Sequence, residues 1–552
     1  MAQAPIGIRR SIFEIQNNFD NKTDTKTLED LMTAWAGIKA LEPSDLNSFF
    51  VIGGYHGEPF RGAGYGSSAW WGGWCNHGNV LFPTWHRMYL KRLETALQSI
   101  PECENVMLPY WDETDDYSLA HGIPSCLTKD TFTYSNGNTI PNPLQSFTFP
   151  VNITDNVSTD QEGSAGGLYT KTAGYTTVRY PYSGLVGTPA DQATTKRHND
   201  QWNPDQAVTV LNKNVVNWLN LEVIELQPDN VNTKSTIKAG IHSAYQKCLN
   251  APNYTVFSNT TSAQNYNDLQ DPSLTPLVPL EQPHNDIHLA VGGADITTVA
   301  AQDFDASPIV GANGDMGEND TAGLDPIFYF HHANVDRMFW VWQKKTGNVD
   351  TLDIIPQYPG TNSVDSQGPT PGVAGNVWLT MESPLMPFVD AHGKVHVSND
   401  VVNIEKQLNY TYSIGSLDQP AWPPAGAGSQ KMLSVREGYS SQVLTVTGAN
   451  KAAVNGSFLI AGYATVSGQK HLVGVQSVLS RNAIQGCANC QTHLNVKAHF
   501  SLHHLPNSVV SHPDTTFSAE IIGHQVDPGA AVVSALAAAT TPKRKALKVS
   551  LK

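Results

Sequence analysis

Apolar residues recur at helical spacing in several long segments of the first 412 residues. In the segment from Thr84 to position 100, the residues Met88, Leu90, Leu93 and Leu97 are spaced to form one apolar face. The same spacing predicts helices over residues 206–226, 234–250, 281–293 and 324–343. These segments predict a mainly α-helical domain built on a four-helix bundle.

The polar segment from residue 109 to about residue 200 shows only weak periodicity. It is rich in Asn, Thr, Gly and Pro, which favour turns over regular elements. We therefore expect long surface loops and short strands there.

A second pattern begins after the Pro-rich and Gly-rich stretch SIGSLDQPAWPPAGAGSQ at residues 413–430. Beyond it, β-branched and apolar residues alternate with polar ones, which is typical of strands in a β-sandwich. Five strands are predicted, at residues 442–449, 456–466, 470–480, 493–502 and 516–524. The predicted organisation is a catalytic domain at 1–412, a linker at 413–430, a β-rich covering domain at 431–528 and a flexible basic tail at 529–552.

The length, charge and apolar content of the chain argue against several classes of partner. The 552 residues suffice for two domains, and charged residues make up 15% of the chain. The formal net charge of -15 argues against nucleic acid or an anionic membrane surface as a partner. There is no membrane-spanning run of about 18 apolar residues, and the start MAQAPIGIRRSIFEI lacks a secretory core. We expect a cytoplasmic protein that acts on a small neutral substrate; secretion after loss of a leader and a homo-oligomeric state both stay open.

The histidines carry the candidate chemistry. Seven of the 19 lie in two helix-bearing segments, with His56, His77 and His86 in the first and His284, His288, His331 and His332 in the second. Groups of three neutral imidazoles suit copper, zinc, iron or nickel and leave one coordination position open for a small molecule. Two such ions held close together could bind dioxygen between them, because two one-electron metals together make a two-electron change.

The motifs HGNVLFPTWHRMYLKRLE, HNDIH and DPIFYFHHANVDRMFW, together with LPYWD at residues 108–112, resemble the copper-binding regions of type 3 copper proteins. This family contains the tyrosinases, catechol oxidases and hemocyanins. The resemblance implies a first copper held by His56, His77 and His86, and a second held by His284, His288 and His332. The family pattern D-P-x-F-x-x-x-H-x-x-x-D selects His332 and leaves His331 as a neighbour.

The resemblance also implies a role for Cys75, which lies two residues before His77. In fungal, plant and molluscan members, a cysteine at the spacing of Cys75 and His77 forms a thioether with the histidine ring. A buried free thiol is the alternative for Cys75.

Three polar residues are implied near the reacting atoms. Glu281 and Asn285 resemble the tyrosinase pair that orients a water near the second copper, where the water could take the proton of a monophenol. Alternatively, Glu281 only favours the first turn of its helix. Asn319, in MGENDTAGLDP, stands where plant members carry a phenylalanine, which implies a wider and more polar entrance.

Two further pairs of residues, one of tyrosines and one of cysteines, also resemble motifs of this family. Tyr410 and Tyr412 resemble the Y-x-Y motif that closes the catalytic domain, with Arg9 or Arg10 as its partner. Cys487 and Cys490 form a C-x-x-C that in long proenzymes is thought to deliver copper. A zinc site completed by His493 and His499, or a disulfide, are the alternatives.

The expected function is that of a dicopper polyphenol oxidase that is latent until its C-terminal domain is removed. With O2 as co-substrate, it would hydroxylate monophenols and oxidise o-diphenols to quinones, which lead to pigment. The alternatives are a catechol or o-aminophenol oxidase without the hydroxylase step, a hemocyanin-like oxygen carrier, and structural zinc binding.

Overall fold

The computed structural model describes most of the chain. The described residues are 6–57, 73–154, 170–184, 189–228, 230–296, 304–306, 314–364, 370, 372–419, 435–451, 454, 456–480, 494–523 and 547–552. The α-helices in these ranges, α1 to α14, are Ile12–Asp20, Lys26–Ala40, Phe49–Gly54, Phe82–Gln98, Asp116–His121, Pro189–Asn199, Pro204–Asn220, Ile241–Cys248, Tyr254–Ser258, Thr260–Leu269, Glu281–Gly292, Ile327–Thr346, Ile404–Gln407 and Asn507–Val510.

Most of the described strands are short, and most of the longer ones lie near the C-terminus. Strands β1 to β18 are Gly7–Arg9, Thr131–Thr133, Thr139–Pro141, Ile153–Thr154, Thr170–Lys171, Glu222–Gln227, Asn230–Lys238, Ala294–Ile296, Phe304–Ala306, Pro384–Val389, Val395–Val397, Tyr410–Tyr412, Val443–Asn450, Phe458–Val466, Gln469–Val478, Asn495–Ser501, Thr516–Gly523 and Lys548–Leu551. The helical first part and β-rich second part confirm the predicted fold class.

Helix α12 is the centre of the helical domain. Residues 327–343 are buried on every side of this helix, which is expected of a helix that lies inside a large core. Its start is held by Asp325, whose carboxylate accepts a hydrogen bond from the Ile327 amide at 3.1 Å. Gly347 ends it in the left-handed conformation, at φ 78°. Around α12 lie α4 and α11, and α7 and α8 pack in turn on α11.

Two of the predicted helices are strand over part of their length. The segment 206–226 is helical only to residue 220, because residues 222–227 form β6, and the segment 234–250 begins with β7. The two strands pair antiparallel, with Val223 opposite Ile237. Half-buried and buried positions alternate over residues 222–225 of β6, and pairing with β7 decides the structure there. None of the helices in the described ranges is long and apolar enough to cross a bilayer.

A buried charged network joins the two ends of the helical domain. Strand β1 pairs parallel with β12, which places Arg9 beside Tyr412. Arg9 donates to the Tyr412 hydroxyl at 3.0 Å and to Glu94 at 2.8 Å. Both Tyr410 and Tyr412 donate to one oxygen of Asp336, at 2.6 and 2.7 Å. Arg9, and not Arg10, is therefore the arginine that binds the Y-x-Y motif.

The C-terminal part forms two three-stranded antiparallel sheets, in the orders β16-β13-β18 and β15-β14-β17. Strand β14 is buried on both faces. Leu459 and Tyr463 belong to the core of the helical domain, whereas Phe458 and Ile460 belong to the core between the sheets. This alternation attaches one sheet to the helical domain and packs it against the other sheet.

Residues 529–546 of the predicted flexible tail lie outside the described residues, and the last residues of that tail form a strand. Residues 548–551 form β18, which pairs with β13 and places Leu551 opposite Leu444. Backbone pairing at the open edge of the sheet outweighs the basic composition that suggested mobility. The predicted linker lies partly outside the described residues, so its bounds and those of the domains stay predictions.

Loss of Arg9 should destabilise the fold strongly. Arg9→Met leaves the fully buried Glu94 without this guanidinium, and removing one partner of a buried ion pair costs about 3–5 kcal/mol. Chemical denaturation should therefore show a lower free energy of unfolding. The control Lys26→Met breaks an exposed pair with Asp30 and should cost less than about 1 kcal/mol. Equal losses in both variants would contradict this account.

Candidate metal centre

Three histidines come together from three places along the chain. His56 follows α3, His77 lies in the loop before α4, and His86 lies on α4. One ring nitrogen of each lies within 4.8 Å of those of the other two, and all three side chains are buried. We call His56, His77 and His86 the first group.

Four histidines form the second group, which consists of His284, His288, His331 and His332. His284 and His288 lie four residues apart on α11, so they share a face, and the other two lie on α12. His332 Nε2 lies 3.2 Å from His284 Nε2 and 3.3 Å from His288 Nε2. Helices α11 and α12 thus bring the three nitrogens to one point.

The two groups face each other directly. The rings of His86 and His332 stack with centroids 4.6 Å apart, and those of His77 and His284 are 5.6 Å apart. Such spacing would hold two ions as neighbours in one cavity of the bundle.

Hydrogen bonds at Nδ1 turn Nε2 toward the centre. A carbonyl oxygen can only accept, so an imidazole bound to one at Nδ1 carries its proton there and offers the Nε2 lone pair. The Nδ1 contacts are His56 to Asn319 O at 3.0 Å, His86 to Phe82 O at 2.8 Å, His288 to Met316 O at 2.7 Å, and His284 to Asn285 Oδ1 at 3.0 Å. His332 Nδ1 has no hydrogen-bond partner in the part of the chain that is described.

Burial keeps these rings neutral. It lowers the pKa of His86 to about 3. Burial, followed by the neighbouring imidazoles, lowers the pKa of His284 and of His332 well below the ordinary value. Neutral imidazole is the form that binds a metal ion, so His86, His284 and His332 are ready to bind metal at neutral pH.

His331 is held differently from the others. Its Nδ1 lies 2.6 Å from a carboxyl oxygen of Glu113, and the other oxygen of Glu113 accepts from the Tyr245 hydroxyl at 2.8 Å. Burial raises the pKa of Glu113 well above its usual range. The resemblance treats His331 as a neighbour of the ligands, and the structure places it within the second group. Glu113 was missed in the sequence, although it directly follows LPYWD.

The residues present fit a pair of metal ions. The donors are all imidazole nitrogens, which suit copper, zinc, iron or nickel. His86 Nε2 is buried and has no hydrogen-bond partner among the described residues. A cation bound to these nitrogens would compensate for the loss of their contact with water.

Cys75 and Asn319 lie beside the first group. Asn319 is fully buried, and its side-chain nitrogen lies 3.9 Å from the half-buried sulfur of Cys75. Its backbone oxygen accepts from His56. Asn319 therefore supports the first group, while its predicted effect on the entrance and the thioether between Cys75 and His77 stay predictions.

Glu281 connects three segments around the site. One carboxyl oxygen accepts from the Gly78 amide at 2.7 Å, and the other accepts from the amide and the hydroxyl of Thr260 at 2.8 and 2.9 Å. Burial raises the pKa of Glu281, and the hydrogen bonds from Thr260 and Gly78 oppose this rise. Glu281 thus fixes the loop that carries His77, beyond favouring the start of α11.

The C-terminal sheet covers this side of the site. A cavity of about 60 Å³ is lined by His77, Glu281 and Asn285 on one side, and by Lys451 and residues 476–479 on the other. Sites for small organic ligands usually measure about 300–1,000 Å³. This cavity has room for water but is far smaller than a usual ligand site.

The C-x-x-C of Cys487 and Cys490 lies outside the described residues, as does His493. His499, the other candidate zinc ligand, is described, and its Nε2 lies 3.1 Å from Asp268 on α10. His499 thus takes part in a contact between the C-terminal sheets and the helical domain.

Comparison with known proteins agrees with these features. The profile described as the common central domain of tyrosinase matches residues 46–345. The chain is similar to a tyrosinase of Hahella sp., with 47% identity over 94% of this chain and 92% of that protein. It is also similar to a tyrosinase of Aspergillus oryzae, with 44% identity over 89% and 91% of the two chains. The solved tyrosinase of Burkholderia thailandensis at low pH is 46% identical, with a TM-score of 0.82 over 99% of this chain and 100% of that one.

The lowered pKa of His86 predicts how stability depends on pH in the metal-free protein. The folded state keeps His86 neutral down to about pH 3, whereas the ordinary pKa is 6.5. The unfolded state therefore binds one more proton between these values, and the free energy of unfolding should rise with pH there. His86→Asn should reduce the slope by up to about 1.4 kcal/mol per pH unit. Urea unfolding between pH 4 and 7 measures this, and equal slopes in both proteins would contradict it.

Proposed function

This chain belongs to the tyrosinase family, and we propose that it is a copper-dependent polyphenol oxidase. A monophenol and one O2 would give one o-quinone and one water; two o-diphenols and one O2 would give two o-quinones and two waters. One observation carries the proposal: two groups of buried, neutral imidazoles face each other at ring distances near 5 Å.

The ligand assignment follows the family pattern and the geometry of the two groups. His56, His77 and His86 would hold the first copper, and His284, His288 and His332 the second. When bound, the copper pair supplies the two-electron chemistry with O2 that no side chain of the protein can provide.

The protein itself orients, excludes water and moves protons. The Nδ1 contacts fix the imidazole tautomers, and the apolar bundle keeps bulk water out. Glu281 and Asn285 line the small cavity beside His77, where they would orient a water. Since a phenol has a pKa of about 10, a carboxyl group whose pKa is raised by burial is a better base for this proton than an ordinary one.

Two further features belong to the proposal. A thioether between Cys75 and His77 would restrict the movement of one ligand through the redox cycle. Cys487 and Cys490 would handle copper during loading, because thiolates favour Cu(I).

The covered site supports latency. The contacts of Lys451 and residues 476–479 leave too little room for a phenol beside His77. The same covering would also suit a hemocyanin-like oxygen carrier, in which phenols have no access. Removal of the C-terminal domain distinguishes these functions.

The decisive experiment compares intact and cleaved protein. We expect the copper-loaded chain, cut within residues 413–430, to consume O2 with both a monophenol and an o-diphenol, and the intact chain to be much slower. Turnover of the diphenol alone would favour a catechol oxidase. Reversible O2 binding without turnover would favour a carrier and contradict the proposal.

Ion pairs attach the C-terminal sheets, β13 to β18, which we call the cover, to the helical domain. Asp268 on α10 contacts Lys497 and His499, which lie on β16, and Lys552, which follows β18. These partners outweigh burial and lower the pKa of Asp268 to about 2, so the carboxylate stays charged near neutral pH.

Asp268→Asn should therefore loosen the cover without cleavage. The partly exposed contacts together contribute on the order of 1 kcal/mol, which corresponds to roughly a five-fold larger open population. O2 uptake by the intact, copper-loaded variant with an o-diphenol should rise by about this factor. The matched control Asp350→Asn breaks a pair with Lys406 inside the helical domain and should leave the rate unchanged. An unchanged rate in the Asp268 variant would show that these contacts do not limit access.

A further inference from the structure

One loop contributes to both histidine groups. Residues 314–324, which connect the strands after α11 to α12, supply the Asn319 carbonyl to His56 and the Met316 carbonyl to His288. One of these histidines belongs to the first group and the other to the second. The position of this loop therefore affects the orientation of a ring in each group.

A buried lysine outside the loop holds it in place. Lys171, on β5, is fully buried and forms ion pairs with Asp315 and with Glu318, the latter at 3.5 Å. It also donates to the Thr321 hydroxyl at 3.1 Å. Burial opposes its charge, but the two carboxylates outweigh burial and raise the pKa of Lys171.

Asp315 fixes the same loop through a second segment. Its other oxygen accepts from the Tyr175 hydroxyl at 2.6 Å and from the Val178 amide at 2.8 Å. Lys171 and Asp315 thus connect the segment 170–184 to the loop in the interior of the protein.

The backbone around the loop leaves little space for a shift. A Cβ atom on Gly292, at the end of α11, would lie 1.8 Å from the Gly317 amide nitrogen. A Cβ on Gly323 would lie 2.8 Å from the Cβ of His56. Movement of the loop would therefore displace α11 and His56.

We propose that Lys171 is a positioning residue for both metal ions, because it fixes the loop whose carbonyls orient His56 and His288. The inference rests on the proposed function for the identity of the metal as copper. Without the lysine, Asp315 and Glu318 are two buried carboxylates that repel each other, and the loop would move to bring them toward water. The Nδ1 contacts would then lengthen in both groups.

The test measures copper binding by the metal-free full-length chain. Cu(I) affinity is determined by competition with a chromophoric chelator and fitted for two ions per chain. Lys171→Met should weaken the binding of both ions by about 10- to 100-fold, the usual effect of losing a group that supports metal ligands. Lys171→Arg, which keeps the charge, should recover most of this loss.

A matched control separates positioning from general destabilisation. Lys39 is another lysine that is largely buried, and its amine donates to the carbonyls of Pro143 and Ser146, neither of which belongs to the loop. Lys39→Met should leave copper affinity unchanged, and thermal unfolding of the metal-free proteins measures the stability of each variant.

Three results would overturn the inference. They are full copper affinity in Lys171→Met, a loss confined to one of the two ions, or an equal loss in Lys39→Met at equal stability. The readout counts bound copper and does not require phenol turnover. Parent protein that binds two copper ions but oxidises no phenol would therefore refute the proposed oxidase and leave this inference standing.

Discussion

The site depends on a single constraint, which is that several neutral imidazoles must stay buried with their Nε2 lone pairs aimed at common points. A free imidazole can rotate and exchange its proton between two nitrogens. Here an acceptor at Nδ1 of His56, His86, His284 and His288 removes both freedoms. Three of these acceptors are backbone carbonyls, so the orientation of the rings is built into the path of the chain. The positions of α11, of α4 and of the loop 314–324 thus become conditions for metal binding.

Buried charges make this path rigid. Asp336 on α12 joins Arg87 on α4, at 2.6 Å, to the two tyrosines of β12. Arg179 pairs with Asp325 at the start of α12, at 2.7 Å. Each of these ions would be costly to bury alone, so its partner can hardly move away. Apolar packing alone would permit more sliding between helices, whereas a charge pair with defined hydrogen bonds permits little.

Short-range patterns predicted the fold class, and the resemblance of short motifs to type 3 copper proteins implied the histidine ligands. The spacing of four between His284 and His288 is enough to place them on one face of a helix. Alternation with a period of two located the five C-terminal strands to within a few residues. Helical spacing gave the wrong element at residues 222–227, where pairing with β7 decides between helix and strand. Periodicity does not predict contacts between distant segments either. Nothing in the sequence near Lys171 indicates that this lysine contacts Asp315, 144 positions away. Glu113 and Asp268 were missed for the same reason.

The way in which β14 is buried constrains how the site can open. Leu459, Tyr463, Leu472 and Leu479 of the C-terminal sheets lie within the apolar core of the helical domain. Full separation of the two parts would expose this surface to water, at about 25 cal/mol for each Å². The ion pairs of Asp268 with Lys497 and of Glu225 with Arg436 lie at the margin of the same interface. They are partly exposed, so each one stabilises the interface less than a buried ion pair would. Access without cleavage should therefore begin with a local opening at this margin. Complete and lasting exposure of the site would, under the proposed latency, follow cleavage of the link between the two parts together with loss of this apolar contact.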